Sequence, residues 1–238
     1  MNQTFINLSA AQSKGLDKPL HENSQNLYKD ALLIAEVNKS YSKATSLLVL
    51  SLEECIKAIL VRLHSEGLKV YKIEGVQKFV GDHKIRHQVA QLIEMGAGLV
   101  EVYEKWEEGK SKPKKFKIEW LNIGKNSLQA VMQFHNSAKR IEKLKGFNNL
   151  KNNGFYVGFI DELLDPAVMI TEEDYREVKN IKDRMTRFYR FVNYIYKPSS
   201  KGMPIDQRKE EVKGQLKFFV DEVLSDFSFK EFSKKNKK

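Results

Sequence analysis

The sequence is poor in the residues that form crosslinks, turns and membrane spans. It has one cysteine, Cys55, and five prolines in 238 residues. A single cysteine excludes a disulfide within the chain, and its place in an apolar run indicates a small core residue in a reducing compartment. No apolar run reaches the ~18 residues of a membrane helix, and the N-terminus lacks the basic-then-apolar order of a signal peptide. We therefore expect a cytoplasmic protein that does not enter a membrane.

Acidic residues are the minority among the charged residues. The chain has 41 lysines and arginines against 31 aspartates and glutamates, a net charge of +10 at pH 7. Such a chain associates with polyanions or acidic surfaces rather than with cations. Residues 109–117 include five lysines and no acid, which predicts an exposed basic loop. Its Lys112, Lys114 and Lys115 are candidate RNA-phosphate contacts beside an aromatic residue, although a solvated loop explains the same pattern.

Apolar residues recur at helical spacing along most of the chain. Strand–helix alternation and repeats are absent from the sequence, so we predict an all-α bundle of five to seven helices with a basic loop and a basic C-terminal tail. Residues 1–22 are expected to lie over the surface or to be loose, 68–80 to connect two helices, and 155–165 to be extended or a half-buried loop. The predicted helices run from Ser24 or Asn26 to about Lys39, from Ser40 to about Ser65, from His83 to about Glu108, from after the basic loop to about Lys145, from a Thr171–Asp174 capping arrangement to about Lys197, and from about Asp206 to Ser225.

The second predicted helix is apolar on every side yet carries charges at its centre. A helix that is apolar all round is a buried, central helix. Glu53 and Lys57 are four residues apart and can pair on one face. Glu54 points about a quarter turn away and needs a donor from another helix. The alternative is a pair on a half-exposed helix, where it contributes little stability.

The segment Asp82–Gln88 contains the donors that could meet these acids. Capped by Asp82, a helix start here would present free backbone N–H groups beside His83, Lys84 and His87, with Arg86 next to them, which suits an anion or phosphate. A histidine in this setting can act as acid or base near neutral pH. The alternative is a solvated polar first turn without chemistry. We expect the charges of the second helix to meet this segment in a polar pocket.

The stretch 184–196 combines aromatic residues and arginines at helical spacing. Its apolar side, which includes Phe188 and Phe191, is expected to be core or a dimer face. Arg184, Arg187 and Arg190 share another stripe and could face RNA.

Four motifs occur in an order that resembles the AbiV family of abortive infection proteins, within the HEPN group of small helical domains. They are Asn26 with Asp30-Ala31, Glu53-Glu54-x-x-Lys57, Asp82-His83-Lys84-Ile85-Arg86, and Tyr156-Val157-Gly158. Arg86 stands where the family has lysine, and Gly158 where it has aspartate. The resemblance covers about residues 24–180. With it we divide the chain into a loose segment (1–22), a HEPN-like helical domain (23–197) and a C-terminal helix with a basic tail (198–238).

The resemblance implies a helical homodimer with a role in phage defence. Such effectors lie dormant, respond to a phage-encoded activator protein, and then shut down gene expression or translation. Many HEPN proteins are metal-independent ribonucleases with Arg-x4-6-His, a spacing that precedes none of the five histidines here. The usual HEPN nuclease motif is therefore absent.

Three functional alternatives remain open at this point. In the first, the effector acts on RNA through catalytic Glu54, His83, Lys57 and Arg86, with Lys84 and His87 on phosphate and with Glu53, Asp82 and Tyr156 as further candidates. In the second, it is a non-catalytic module that binds RNA, the ribosome or a protein. The third is a metal site built from His83, His87 and a glutamate. Because the repeated Glu-x-x-His of ferritin-like bundles is missing, we expect no metal and no cofactor.

Overall fold

The computed structural model describes residues 4–73, 75–82, 89, 146, 149–160, 162–198 and 207–224, and helices dominate this part of the chain. The prediction of an all-α bundle is confirmed. Two 3₁₀ turns lie at Phe5–Asn7 and Val70–Lys72, and a π-helical turn, Phe219–Leu224, follows the last helix. The α-helices are α1 (Asp17–Asn38), α2 (Tyr41–Ser65), α3 (Val76–Asp82), α4 (Pro166–Met169), α5 (Glu172–Ile195) and α6 (Gln207–Phe218).

Helix α2 is the central element, as its apolar composition predicts. Most of its residues are buried, and it packs against both α1 and α5. Cys55 is fully buried in this core, as expected. The predicted bounds of α2 are confirmed. Ser40 is the N-cap residue, and Gly67 follows the C-terminal end of the helix with a φ of +86°, a backbone conformation that favours glycine.

Helix α1 begins earlier than the sequence predicts. Its first residue is Asp17, so the predicted starts at Ser24 or Asn26 are wrong. Ser24 does not cap α1, because it lies inside the helix. Its hydroxyl donates to the carbonyl oxygen of Ser51 in α2 at 2.7 Å. The Ser51 hydroxyl returns a bond of 2.7 Å to the Ser24 carbonyl. This reciprocal pair lets the two backbones approach closely.

Helix α5 starts at the predicted capping arrangement. The Thr171 hydroxyl accepts from the Asp174 backbone N–H, and the Asp174 carboxylate accepts from that of Thr171. The helix ends at Ile195, slightly before the predicted Lys197. The extended alternative for 155–165 is confirmed, since β1 (Gly158–Ile160) and β2 (Glu162–Leu164) form an antiparallel pair.

The region predicted to connect two helices is partly helical. Val76 and Phe79 are fully buried, and this apolar face is what starts α3 ahead of the predicted boundary. Asp82 lies within α3, so its prediction as a helix N-cap is wrong. The predicted helices from His83 to Glu108 and up to Lys145, the basic loop and the basic tail lie outside the described residues. None of the helices in the described ranges is both long and apolar enough to cross a bilayer.

Candidate functional site: a buried carboxylate–lysine cluster

Two carboxylates and two amines meet beside the middle of α2. The Lys57 Nζ donates to Glu54 Oε1 at 2.7 Å, and the Lys151 Nζ donates to Glu53 Oε1 at 2.8 Å. The side-chain amide of Asn23, in α1, donates to Glu54 Oε2 at 3.3 Å. We name these five residues the α2 polar cluster.

The pairing within this cluster differs from the sequence prediction. Lys57 donates to Glu54, three residues away, although Glu54 was predicted to be poorly placed for this lysine. Glu54 does receive a donor from another helix, as predicted, but in the described structure that donor is Asn23 of α1. Glu53 takes its ion pair from Lys151, a residue outside the predicted set.

Glu53 is the most buried acid of the cluster, with no exposed surface. Burial raises the pKa of its carboxyl, and the charge of Glu54 raises it further. The hydrogen bond from Lys151 and the charges of Lys151 and Lys57 lower the pKa, but they do not cancel the effect of burial. Glu53 therefore holds a proton more tightly than an exposed glutamate does.

A close backbone contact brings Lys151 to Glu53. Residues 149–153 are helical, and the Leu150 carbonyl accepts from the Ser46 hydroxyl of α2 at 3.2 Å. A Cβ at Gly154 would lie 2.0 Å from Ser46 Oγ and 2.5 Å from the Ser42 carbonyl oxygen. Only glycine fits so near to α2. The sequence does not predict this contact, because no local pattern reveals a partner 98 positions away.

The structure places only part of the predicted site. Glu53, Glu54 and Lys57 are brought together, while Tyr156 precedes β1 and is 74% exposed. Asp82 belongs to α3. Among the described residues, no group of three histidine, cysteine, aspartate or glutamate side chains could hold a metal ion. The remaining candidates lie outside the described residues: His83, Lys84, Arg86, His87, Lys112, Lys114 and Lys115.

The α2 polar cluster is an internal network. Within the described part of the chain its two carboxylates and two ammonium groups balance in charge, and the side chains of Lys57 and Glu54 are only 9% and 16% exposed. The Lys151–Glu53 ion pair joins α2 to the segment 149–154, and the hydrogen bond from Asn23 to Glu54 joins α1 to α2. Chemically the cluster can hold helices together and can hold or release a proton at Glu53.

A second polar region lies between α1 and α5. There a groove of about 560 Å³ is lined by Gln25 and Tyr28 from α1 and by Arg184, Arg187 and Arg190, among others, from α5. The three arginines of the predicted stripe thus line one groove. We name this region the α1–α5 groove.

The fold is that of an all-α, HEPN-like helical bundle around a buried central helix. A family model described as AbiV, of the HEPN type, matches residues 12–187, and the chain belongs to this family. The resemblance inferred from the motifs is thereby confirmed. Membership implies a role in abortive infection, that is, in defence against phage. No curated protein and no solved structure gave a match.

Proposed function

We propose that this protein is an abortive-infection effector that stops gene expression by binding RNA, and that the α2 polar cluster is structural rather than catalytic. The observation that carries the proposal is the pairing of both carboxylates with lysines. Each carboxylate already accepts a hydrogen bond from a lysine, and Glu53 is fully buried.

The pairing of each carboxylate with a lysine argues against RNA cleavage at this place. Cleavage through a 2′-hydroxyl needs an acid and a base within hydrogen-bond reach of the substrate. A substrate would have to displace Lys57 from Glu54 or Lys151 from Glu53. Breaking a desolvated ion pair is strongly unfavourable, since it leaves an uncompensated charge.

The charge of the chain favours RNA as the ligand. A net charge of +10 attracts the phosphate backbone without regard to sequence, and arginines line the α1–α5 groove. An effector that blocks by binding needs no reacting groups, which agrees with the missing Arg-x4-6-His spacing. The homodimer, the cytoplasmic location and activation by a phage-encoded protein belong to the same proposal.

RNA from phage-infected cells tests the proposal. Cells would carry the wild type, Glu54→Gln or His83→Ala, with folding of each variant checked by circular-dichroism melting. We expect protection against phage without discrete new RNA ends, and protection retained in folded Glu54→Gln. New RNA ends with the wild type that disappear in both folded variants would overturn the proposal and identify a ribonuclease.

A further inference from the structure

The hairpin formed by β1 and β2 has an apolar face that is open to solvent. Phe159 and Leu163 are directly opposite each other in the two strands, and they are 74% and 66% exposed. Opposite residues of an antiparallel pair lie on the same side of the sheet, so the two side chains adjoin. Val157, two residues before Phe159, is also exposed. We name these three residues the hairpin face.

The rest of the hairpin is fixed to the bundle. On the other side of the sheet, Gly158 and Leu164 are opposite each other and half-buried. Before the hairpin, Gly154 lies against α2, and after it Pro166 and Ile170 are buried. The hairpin is therefore held on both flanks, and these contacts would have to break before its outer face could turn towards the core.

Exposed apolar residues concentrate around this face. Of the eleven large apolar residues that are exposed in the described ranges, seven lie within residues 155–169. Besides the hairpin face they include Phe155 and Tyr156, whose ring centroids are 6.4 Å apart. Single exposed apolar residues are ordinary on a protein surface, whereas a concentration of them marks an interaction site. This concentration indicates a surface that another molecule covers.

The same part of the chain is acidic, although the protein as a whole is basic. Residues 152–175 include six aspartates and glutamates and no lysine, arginine or histidine, whereas the whole chain has a net charge of +10. Arg176, next in the chain, pairs with Glu172 and offsets only one of these six charges. Two copies of such a surface would repel each other, and it would also repel nucleic acid and acidic lipids. The charge therefore favours a partner that is itself basic.

We propose that the hairpin face docks a segment of a partner protein that carries apolar side chains among lysines or arginines. Burial of the three apolar side chains of the face would supply affinity. Attraction between the basic side chains of the partner and the acids of 152–175 would supply selectivity. The inference goes beyond the proposed function, since it concerns a protein partner and does not depend on RNA binding.

Binding of designed peptides to the full-length protein tests the inference. The probe is a fluorescently labelled peptide in which leucine and lysine alternate, and fluorescence anisotropy measures its binding. Two comparison peptides have serine in place of every leucine or glutamate in place of every lysine. We expect the leucine–lysine peptide to bind about tenfold more tightly than either, because only this peptide combines apolar and basic side chains. Equal affinities for the three peptides would overturn the inference.

Substitution of the hairpin face should remove this preference. The double variant Phe159→Ser, Leu163→Ser should bind the leucine–lysine peptide about tenfold more weakly, with folding checked by circular-dichroism melting. The matched control is Leu33→Ser, Val37→Ser, because these two residues are also exposed and apolar but lie on α1. It should bind as the wild type does. Wild-type affinity in the folded hairpin variant, or an equal loss in the control, would overturn the inference.

A second copy of the chain is the competing occupant of the hairpin face. Sedimentation velocity of the wild type and of Phe159→Ser, Leu163→Ser distinguishes the two occupants. We expect the same oligomeric state in both proteins, and a dimer that the substitutions dissociate would overturn the inference. These experiments measure neither phage protection nor RNA ends, so their failure leaves the proposed function standing. New RNA ends in infected cells would in turn leave the hairpin face standing as a docking surface.

Discussion

Two buried charged side chains show how a local partner decides the role of a residue. Burial raises the pKa of Glu53 and lowers that of Lys182, so it favours the neutral form of each. Glu53 meets an ammonium group, whereas Lys182 meets a hydroxyl. The charge of Lys151 therefore offsets part of the effect of burial on Glu53, whereas the Thr186 hydroxyl brings no opposite charge to Lys182.

Removal of Lys151 should reveal the structural role of the α2 polar cluster. Lys151→Met leaves the Glu53 carboxylate buried without its ion-pair partner, and we expect the free energy of unfolding to fall by about 2–4 kcal/mol. The double variant Glu53→Gln, Lys151→Met should recover part of this loss. Urea denaturation monitored by circular dichroism measures both.

The exposed Arg176–Glu172 pair provides the control for this experiment. Its removal by Arg176→Ala should change the free energy of unfolding by less than about 1 kcal/mol, because exposed pairs contribute little. A Lys151→Met variant as stable as Arg176→Ala would mean that the cluster does not hold the fold together.

The stability of the protein should depend on pH through His21. Its folded pKa is about 4 against an ordinary value of 6.5, so between these values the unfolded chain binds a proton that the folded chain does not. Stability is therefore lost as the pH falls through this window, by roughly 1–2 kcal/mol after allowance for solvent screening of a half-buried ring.

His21→Phe keeps an aromatic ring against Tyr189 and has no proton to bind. Its free energy of unfolding should fall less steeply with decreasing pH than that of the wild type. Urea titrations at several pH values measure the difference. Parallel pH profiles for the two proteins would contradict the assignment.

At the scale of elements, small residues decide how closely segments approach α2. The reciprocal Ser24–Ser51 bonds join α1 to α2, and Ser46 bonds the Leu150 carbonyl of the segment 149–154. Gly154 then lies against the α2 backbone with no room for a side chain. These contacts position Asn23 and Lys151 at the α2 polar cluster.

A pair of glycine substitutions tests this close packing. Gly154→Ala places a methyl group against Ser46 and the Ser42 carbonyl, and we expect a loss of about 1–3 kcal/mol in the free energy of unfolding. The added methyl group of Gly214→Ala in α6 meets open space. This substitution should stabilise the protein by about 0.5–1 kcal/mol, because alanine has a higher helix propensity than glycine. Thermal melting measures both variants. We expect the melting temperature to fall for Gly154→Ala and to rise for Gly214→Ala, and equal shifts would contradict the prediction.

At the scale of the whole molecule, the N-terminal region is fixed to distant elements. Residues 1–22 were expected to be loose or to lie over the surface, and their described part makes specific contacts with two helices. The Tyr189 hydroxyl of α5 donates to the buried Asp17 carboxylate at 2.6 Å, and His64 of α2 contacts the Leu8 carbonyl at 2.9 Å. The chain start therefore joins α2 and α5 and forms part of the bundle.

Loss of the Tyr189 hydroxyl should loosen this junction. Tyr189→Phe leaves the Asp17 carboxylate buried without that donor, which should lower the free energy of unfolding by about 1–3 kcal/mol. Faster hydrogen exchange over residues 5–17 would accompany the loss. Tyr156→Phe, whose side chain is mostly exposed, is the control and should change neither quantity.

Local patterns determined the class of fold and the central position of α2. Apolar residues on every side of Tyr41–Ser65 indicate burial wherever the neighbours lie, and the Thr171–Asp174 cap and Gly67 act within one turn of their helix ends. The motif order also indicated the AbiV family. These features depend on residues close in sequence or on composition, so they can be inferred before the chain is folded.

Only the tertiary structure decided which charges meet. The sequence indicated that Glu53, Glu54 and Lys57 need partners, but Lys151 comes from a segment 98 residues away and Asn23 from the neighbouring helix. The stripe of three arginines was visible in the sequence. The burial of Lys182 was not, nor was the Gln25 amide nitrogen that is buried without a hydrogen-bond partner among the described residues. Pairing of this kind depends on how helices pack and how deeply a side chain is buried, and neither quantity is encoded in local spacing.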